Sequence, residues 1–121
     1  MTKIQNTKQY DLEERTFKFA QRNRIFVKNL FKTLGNIEDG KQLVRASGSV
    51  GANYIEANES LSKKDFIMRA KICRKEVKES RYWLKLVEIN NNLQLEKERE
   101  NLIKESTELM NIFGSIIRKS E

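Results

Sequence analysis

Histidine and proline are absent from this chain of 121 residues, and cysteine occurs once, at Cys73. Without histidine the chain lacks the commonest metal ligand and the one side chain that titrates near neutrality unperturbed. Histidine-dependent triads, zinc sites and proton shuttles are thereby excluded, and no metal, cofactor or catalytic residue is expected. A single cysteine forms no internal disulfide. Long apolar runs are missing too: no segment approaches the ~20 residues of a spanning helix, and Met1 to Tyr10 carry no apolar core of the kind found in signal peptides. These absences point to a cytoplasmic protein that is not an enzyme. The lack of proline leaves helices free to run long.

Charge is abundant. Charged residues make up 34% and hydrophobic residues 38%, too apolar for a disordered tail and too charged for a membrane protein. The formal net charge is +7, unevenly spread: +5 over residues 1–34, −2 over 35–61, +5 over 62–90 and −1 over 91–121. Such an excess favours nucleic acid or another polyanion through counterion release. The plain alternative is a basic surface that serves solubility.

Hydrophobic periodicity predicts four helices and an all-α, up-down-up-down bundle in one domain. The first is expected over about 11–34, capped by Asp11, with Leu12, Thr16, Phe19, Asn23, Phe26 and Leu30 on one stripe widened by Ala20, Val27, Phe31 and Leu34. Gly35 and Gly40 are expected to bracket a break. The second helix follows over about 39–58, with Leu43, Ala46, Val50, Tyr54 and Ala57 inward. Its small residues Gly48, Gly51 and Ala52 suit close approach of another backbone better than a phosphate loop, which would need a preceding strand. The third helix, about 62–89, opens on a Ser62 cap and carries Phe66, Ala70, Cys73, Val77, Ser80, Leu84 and Val87 inward. The fourth, about 94–119, repeats Leu102, Leu109 and Ile116 every seven residues, with Ile103, Met110 and Ile117 beside them. That extra width marks either an oligomer contact or burial within the bundle itself.

Two sets of polar residues stand out. Gln42, Arg45, Asn53 and Glu56 on the second helix, with Arg69, Glu76 and Glu79 on the third, lie near the apolar stripes. No histidine completes a carboxylate-bridged metal site. The expected role is structural: Glu56, Glu76 or Glu79 pairs with Arg45 or Arg69 between helices. Cys73 is expected to be an inert buried thiol. The second set is basic. Lys64, Lys71, Lys78 and Lys85 repeat every seven residues, flanked by Arg74, Lys75 and Arg81; on the first helix Arg15, Lys18, Arg22, Arg24, Lys28 and Lys32 crowd the polar face. Either face makes an electrostatic track for a phosphate backbone, read with little sequence specificity, or a solvated surface neutralised by neighbouring acids. Tyr82 and Trp83 can stack on bases or pack at an interface.

The stretch KQLVRASGSVGANYIEANESLSKKDF, Lys41 to Phe66, and the stretch KICRKEVKESRYWLKLVE, Lys71 to Glu88, resemble the two hallmarks of the four-helix proteins encoded by intervening sequences of bacterial 23S ribosomal RNA genes. Asp11 to Ala20 and Glu108 to Ile117 are similar to the same family, so the resemblance spans nearly the whole chain. It implies a bundle that assembles as a ring-like homopentamer, of bacterial origin. It also implies kinship with the accessory variability determinants of diversity-generating retroelements, basic pentamers that associate with a reverse transcriptase and nucleic acid. Gln42, Arg45, Ser49, Asn53, Glu56, Asp65, Glu76, Glu79 and Trp83 match the family's recurring polar and aromatic positions; the family supplies no catalytic residue to carry over. The expected function is a non-enzymatic oligomeric bundle that binds nucleic acid, RNA or an RNA–protein complex, through basic helix faces. The alternative is a protein-interaction module that docks on a partner without nucleic acid.

Overall fold

The computed structural model describes the backbone from Thr2 to Glu121 and side chains from Asp11 onward. The reading of Met1 to Tyr10 as lacking a leader's apolar core therefore lies outside the described side chains. Four helices and no strand make up the described chain: α1 (Thr2–Lys28), α2 (Leu34–Asn58), α3 (Lys63–Leu86) and α4 (Leu93–Ser120). Each is roughly 36–42 Å long at 1.5 Å per residue. Rods of that length joined by short connections must run antiparallel. Each packs on its chain neighbours, and α1 closes the square by a lighter contact with α4.

The apolar stripes meet at the centre. Phe19, Phe26, Leu43, Val50, Val77, Leu84, Leu102, Leu109 and Phe113 are essentially inaccessible, and the rings of Tyr54 and Phe113 meet edge to face at 5.8 Å. Polar residues on the stripes are tolerated because each bonds within its own helix. Thr16 Oγ1 donates to Leu12 O, Asn23 Nδ2 to Phe19 O and Ser80 Oγ to Glu76 O, which offsets the cost of burying them.

Several boundaries differ from the sequence expectation. Helix α1 is already under way at Thr2, so Asp11 lies inside it rather than capping it. It stops at Lys28 instead of Leu34, and the chain tightens there through Leu30 N–H donating to Val27 O. Phe31 and Leu34, expected on the core stripe, are left 65% and 78% exposed. Helix α2 starts earlier than expected, at Leu34, because Thr33 caps it: its hydroxyl accepts from Asn36 N–H at 3.1 Å. Gly35 and Gly40 thus lie within α2 and do not bracket a break. Gly40 is instead a close-packing position, where a Cβ would stand 2.8 Å from Val27 Cγ1. Gly51 serves the same end against α1, 3.0 Å from Thr16 Oγ1, as the small-residue stretch anticipates. Ser62 caps α3 by accepting from Asp65 N–H, and Asn92 caps α4. Asn90 and Asn91 both adopt positive φ, 56° and 62°, in the turn between α3 and α4.

Extra apolar width on α4 is absorbed by the bundle: Ile103, Met110, Ile112 and Ile116 pack half-buried against the core. Exposed apolar surface gathers instead around the α1–α2 connection, at Phe31, Leu34 and Ile37. No described helix is long and apolar enough to cross a membrane.

Candidate nucleic-acid interface

The polar set between α2 and α3 forms a small network. Arg45 Nη2 donates to Glu79 at 3.3 Å, Arg45 Nη1 lies 4.0 Å from Glu76, and Arg45 Nε donates to Gln42 Oε1 at 3.5 Å. Arg69 Nη1 donates to Asn53 Oδ1 at 3.0 Å, and Asn53 Nδ2 donates to Ser49 O. The expected pairing of Arg45 with carboxylates of α3 is present, carried by Glu79 and, more distantly, the buried Glu76. Two parts differ. Arg69 takes an amide partner instead of a carboxylate, and Glu56 is exposed and forms no ion pair among the described residues. Glu56 points away from the seam because the inward places of that turn belong to Tyr54 and Ala57.

Cys73 sits in the same seam with its thiol donating to Val50 O at 3.4 Å. Burial pushes that thiol up to about 12, since a thiolate finds no solvation there. Tyr54 is likewise raised by burial. Neither group is poised to react.

The basic residues separate into two populations. On α1, Arg15 is engaged. Its Nε and Nη2 donate to the two oxygens of Glu105 at 2.7 and 2.9 Å, and Nη2 also reaches Glu108. The bidentate bond to Glu105 holds the Arg15 guanidinium protonated well above its ordinary range. Arg22 lies 3.5 Å from Glu98, and Lys18 3.4 Å from Glu14 on its own helix. Lys28 is exposed and unpaired among the described residues. The acidic face of α4 therefore takes up Arg15 and Arg22, which the structure places as ties across the α1–α4 seam, while Arg24, Lys28 and Lys32 of the same row form no ion pair among the described residues.

Helix α3 presents the opposite case. Lys64, Lys71, Arg74, Lys75, Lys78, Arg81 and Lys85 form no ion pair with any described residue. Five lysines are exposed, while Arg74 and Arg81 are half-buried; Arg81 Nε is buried without an acceptor. Lys71, Arg74, Lys75 and Lys78 form one wall of a groove of about 660 Å³ between α3 and α4. Tyr82 and Trp83 stand at one end, packed edge to face at 4.9 Å. Gly114, Ile117 and Arg118 supply the opposite wall. Glu79 also lines it, but its carboxylate is turned to Arg45. Lys64 and Lys85 extend the row beyond the groove. Arg118 and Gly114 were not among the residues the sequence suggested: the glycine's signal is an absent side chain, and the arginine belongs to a helix with no excess of positive charge.

The profile of the 23S rRNA-intervening sequence protein family matches residues 8–115. A crystal structure of a protein with unknown function from the S23 ribosomal protein family of Bacteroides thetaiotaomicron is similar, with 30% sequence identity, a TM-score of 0.77, and coverage of 92% of this chain and 98% of that one. No curated protein matches the chain. Agreement of sequence over both hallmark stretches with an all-helical fold of that shape leads to one assignment: the chain belongs to the 23S rRNA-intervening sequence protein family.

Proposed function

We propose that the protein is a non-enzymatic, cytoplasmic homo-oligomer, a ring of five copies, that binds nucleic acid, RNA above all, through the basic face of α3. The observation that carries this reading is the contrast in pairing: the lysines and arginines of the α3 row have no carboxylate partner among the described residues, whereas Arg15 and Arg22 of α1 meet glutamates of α4. Lysines seven residues apart recur at roughly 10 Å along the rod, spacing that suits phosphates of a backbone followed without base readout. Tyr82, 58% exposed beside that row, offers a stacking surface.

Mobility-shift titrations with structured RNA and duplex DNA across salt concentrations test the reading. Binding that weakens steeply with salt supports it; no binding at low salt overturns it. Light scattering tests the ring, where a monomer at micromolar concentration counts against it. A second reading, docking on a partner protein without nucleic acid, is favoured by the exposed apolar Phe31 and Ile37 lining a groove of about 410 Å³. Pull-down followed by nuclease treatment separates the two, since protein docking survives the nuclease.

A further inference from the structure

The groove between α3 and α4 contains a feature more local than the lysine row. A Cβ built on Gly114 would stand 3.4 Å from Arg118 Nη1 and 3.6 Å from Arg74 Nε. Two guanidinium groups from different helices are therefore brought around one notch that exists because residue 114 has no side chain. Neither has a carboxylate within ion-pair distance among the described residues. The C-terminal pole of α4 favours Arg118 where it is, but contributes only about half a negative charge. Like charges held together with so little compensation leave room for a compact dianion.

The geometry points to the Gly114 notch as a site for a phosphate monoester, the terminal phosphate of a nucleotide, with its nucleoside directed along the groove toward Tyr82. The assignment of an RNA end as its source rests on the nucleic-acid reading above. A monoester carries about −1.5 to −2 charges near neutrality and three acceptor oxygens, enough to engage two forked guanidiniums together. An internal diester has one charge and suits the spaced lysines. Tyr82 lines the same groove as Arg74, eight residues or about 12 Å along α3, a reach that a nucleoside attached to the phosphate can span. The site would thus distinguish a phosphorylated RNA end, or a free nucleoside monophosphate, from a continuous strand.

The experiment compares one short single-stranded RNA with a 5′-phosphate and with a 5′-hydroxyl, and adenosine monophosphate against adenosine, by fluorescence competition on the full chain. The expected result is about tenfold tighter binding of the phosphorylated partner in each pair, the scale of one charge-assisted contact. The preference shrinks as pH falls from 7 to 5 and the monoester takes up a proton. Arg74→Gln and Arg118→Gln should each reduce the preference to below threefold. Gly114→Leu should do the same while preserving the helix, because leucine favours helix over glycine; thermal unfolding checks that the variants fold. RNA that binds equally with and without its phosphate overturns the notch and leaves the backbone reading standing. Nucleotide that binds in the notch while neither RNA form binds keeps the notch and overturns the RNA source. Variants that fold and retain the full preference overturn the notch.

Discussion

The polar faces of α1 and α3 start from similar material and end differently. Each carries arginines and lysines at helical spacing beside an apolar stripe, and in sequence each qualifies as an electrostatic track. On α1, Arg15 meets Glu105 and Glu108, and Arg22 meets Glu98. On α3 the corresponding row meets the side of α4 that carries Gly114, Ile117 and Arg118. One helix, α4, sorts the two: its acidic side faces α1 and its uncharged and basic side faces α3. A basic stripe becomes an available surface only when the opposing helix withholds carboxylates. For Arg15 the deciding carboxylate lies ninety residues away along the chain.

The largest effect expected from this contrast is on affinity. Lys71→Glu, Lys78→Glu and Lys85→Glu combined should weaken RNA binding at least 100-fold and lower the salt slope by about 2, three phosphate contacts at ~0.7 each for a single strand. Lys18→Glu with Lys28→Glu on α1 should weaken it less than about threefold. Equal losses in mobility-shift titration would erase the distinction between the faces.

Stability should respond the other way round. Arg15→Ala removes a part-buried bidentate bond and is expected to cost about 2 kcal/mol in urea unfolding, the range of hydrogen bonds to charged groups, whereas Lys71→Ala should stay within about 0.5 kcal/mol, as for exposed positions. A neutral Arg15→Ala would mean that the α1–α4 seam gains nothing from its ion pairs.

The inner face of α3 offers a sharper contrast with its outer one. The folded state holds the Cys73 thiol at about 12 against 9.0 in a free chain, so the unfolded chain loses that proton first. The contribution is intact below pH 9 and lost progressively as pH rises toward 12. Between pH 8 and pH 10 the unfolding free energy should fall by about 1 kcal/mol more in the native protein than in Cys73→Ala, because a tenfold difference in proton affinity is worth roughly 1.4 kcal/mol. Identical pH dependence in both proteins would remove Cys73 from the account.

The smallest effect concerns how α1 is held against α2. Gly51→Ala drives a methyl to 3.0 Å from Thr16 Oγ1 and should destabilise by roughly 0.5 kcal/mol after the helix-propensity gain. Gly48→Ala meets only Arg24 Nη2 at 3.9 Å and should stabilise by up to about 1 kcal/mol. Thermal midpoints of the pair compare a close approach with an open position on the same helix.

The stripes Leu12 to Leu30 and Ala70 to Val87 were legible because burial follows helical periodicity, and all their named members are buried. Phe66, at the first turn of α3, is only half covered. The α1–α2 boundary was not legible. Glycine at 35 and 40 carries the same signal whether it ends a helix or lies within one; the Thr33 cap puts Gly35 inside α2, and the approach of Val27 gives Gly40 its packing role. In the polar set, the Arg45–Glu79 pair was among the expected alternatives, whereas the outward turn of Glu56 depends on which residues of its own turn the core claims. The Gly114 notch gave no sequence signal at all, since it consists of a missing side chain between two arginines from different helices.

The left-handed pair Asn90 and Asn91 fixes more than a reversal of direction. The pair leads into the Asn92 cap, which sets where α4 begins, and a single residue inserted into the first turns of α4, ahead of Leu102, would turn the rest of that helix by about 100° about its axis. One such slip would carry Leu102, Leu109 and Phe113 out of the core, swing Glu105 away from Arg15 and part Arg118 from Arg74 together. The phase of α4 is therefore shared by interior, seam and notch, and lineages of this fold should admit added residues in the connection before the Asn92 cap more readily than within α4.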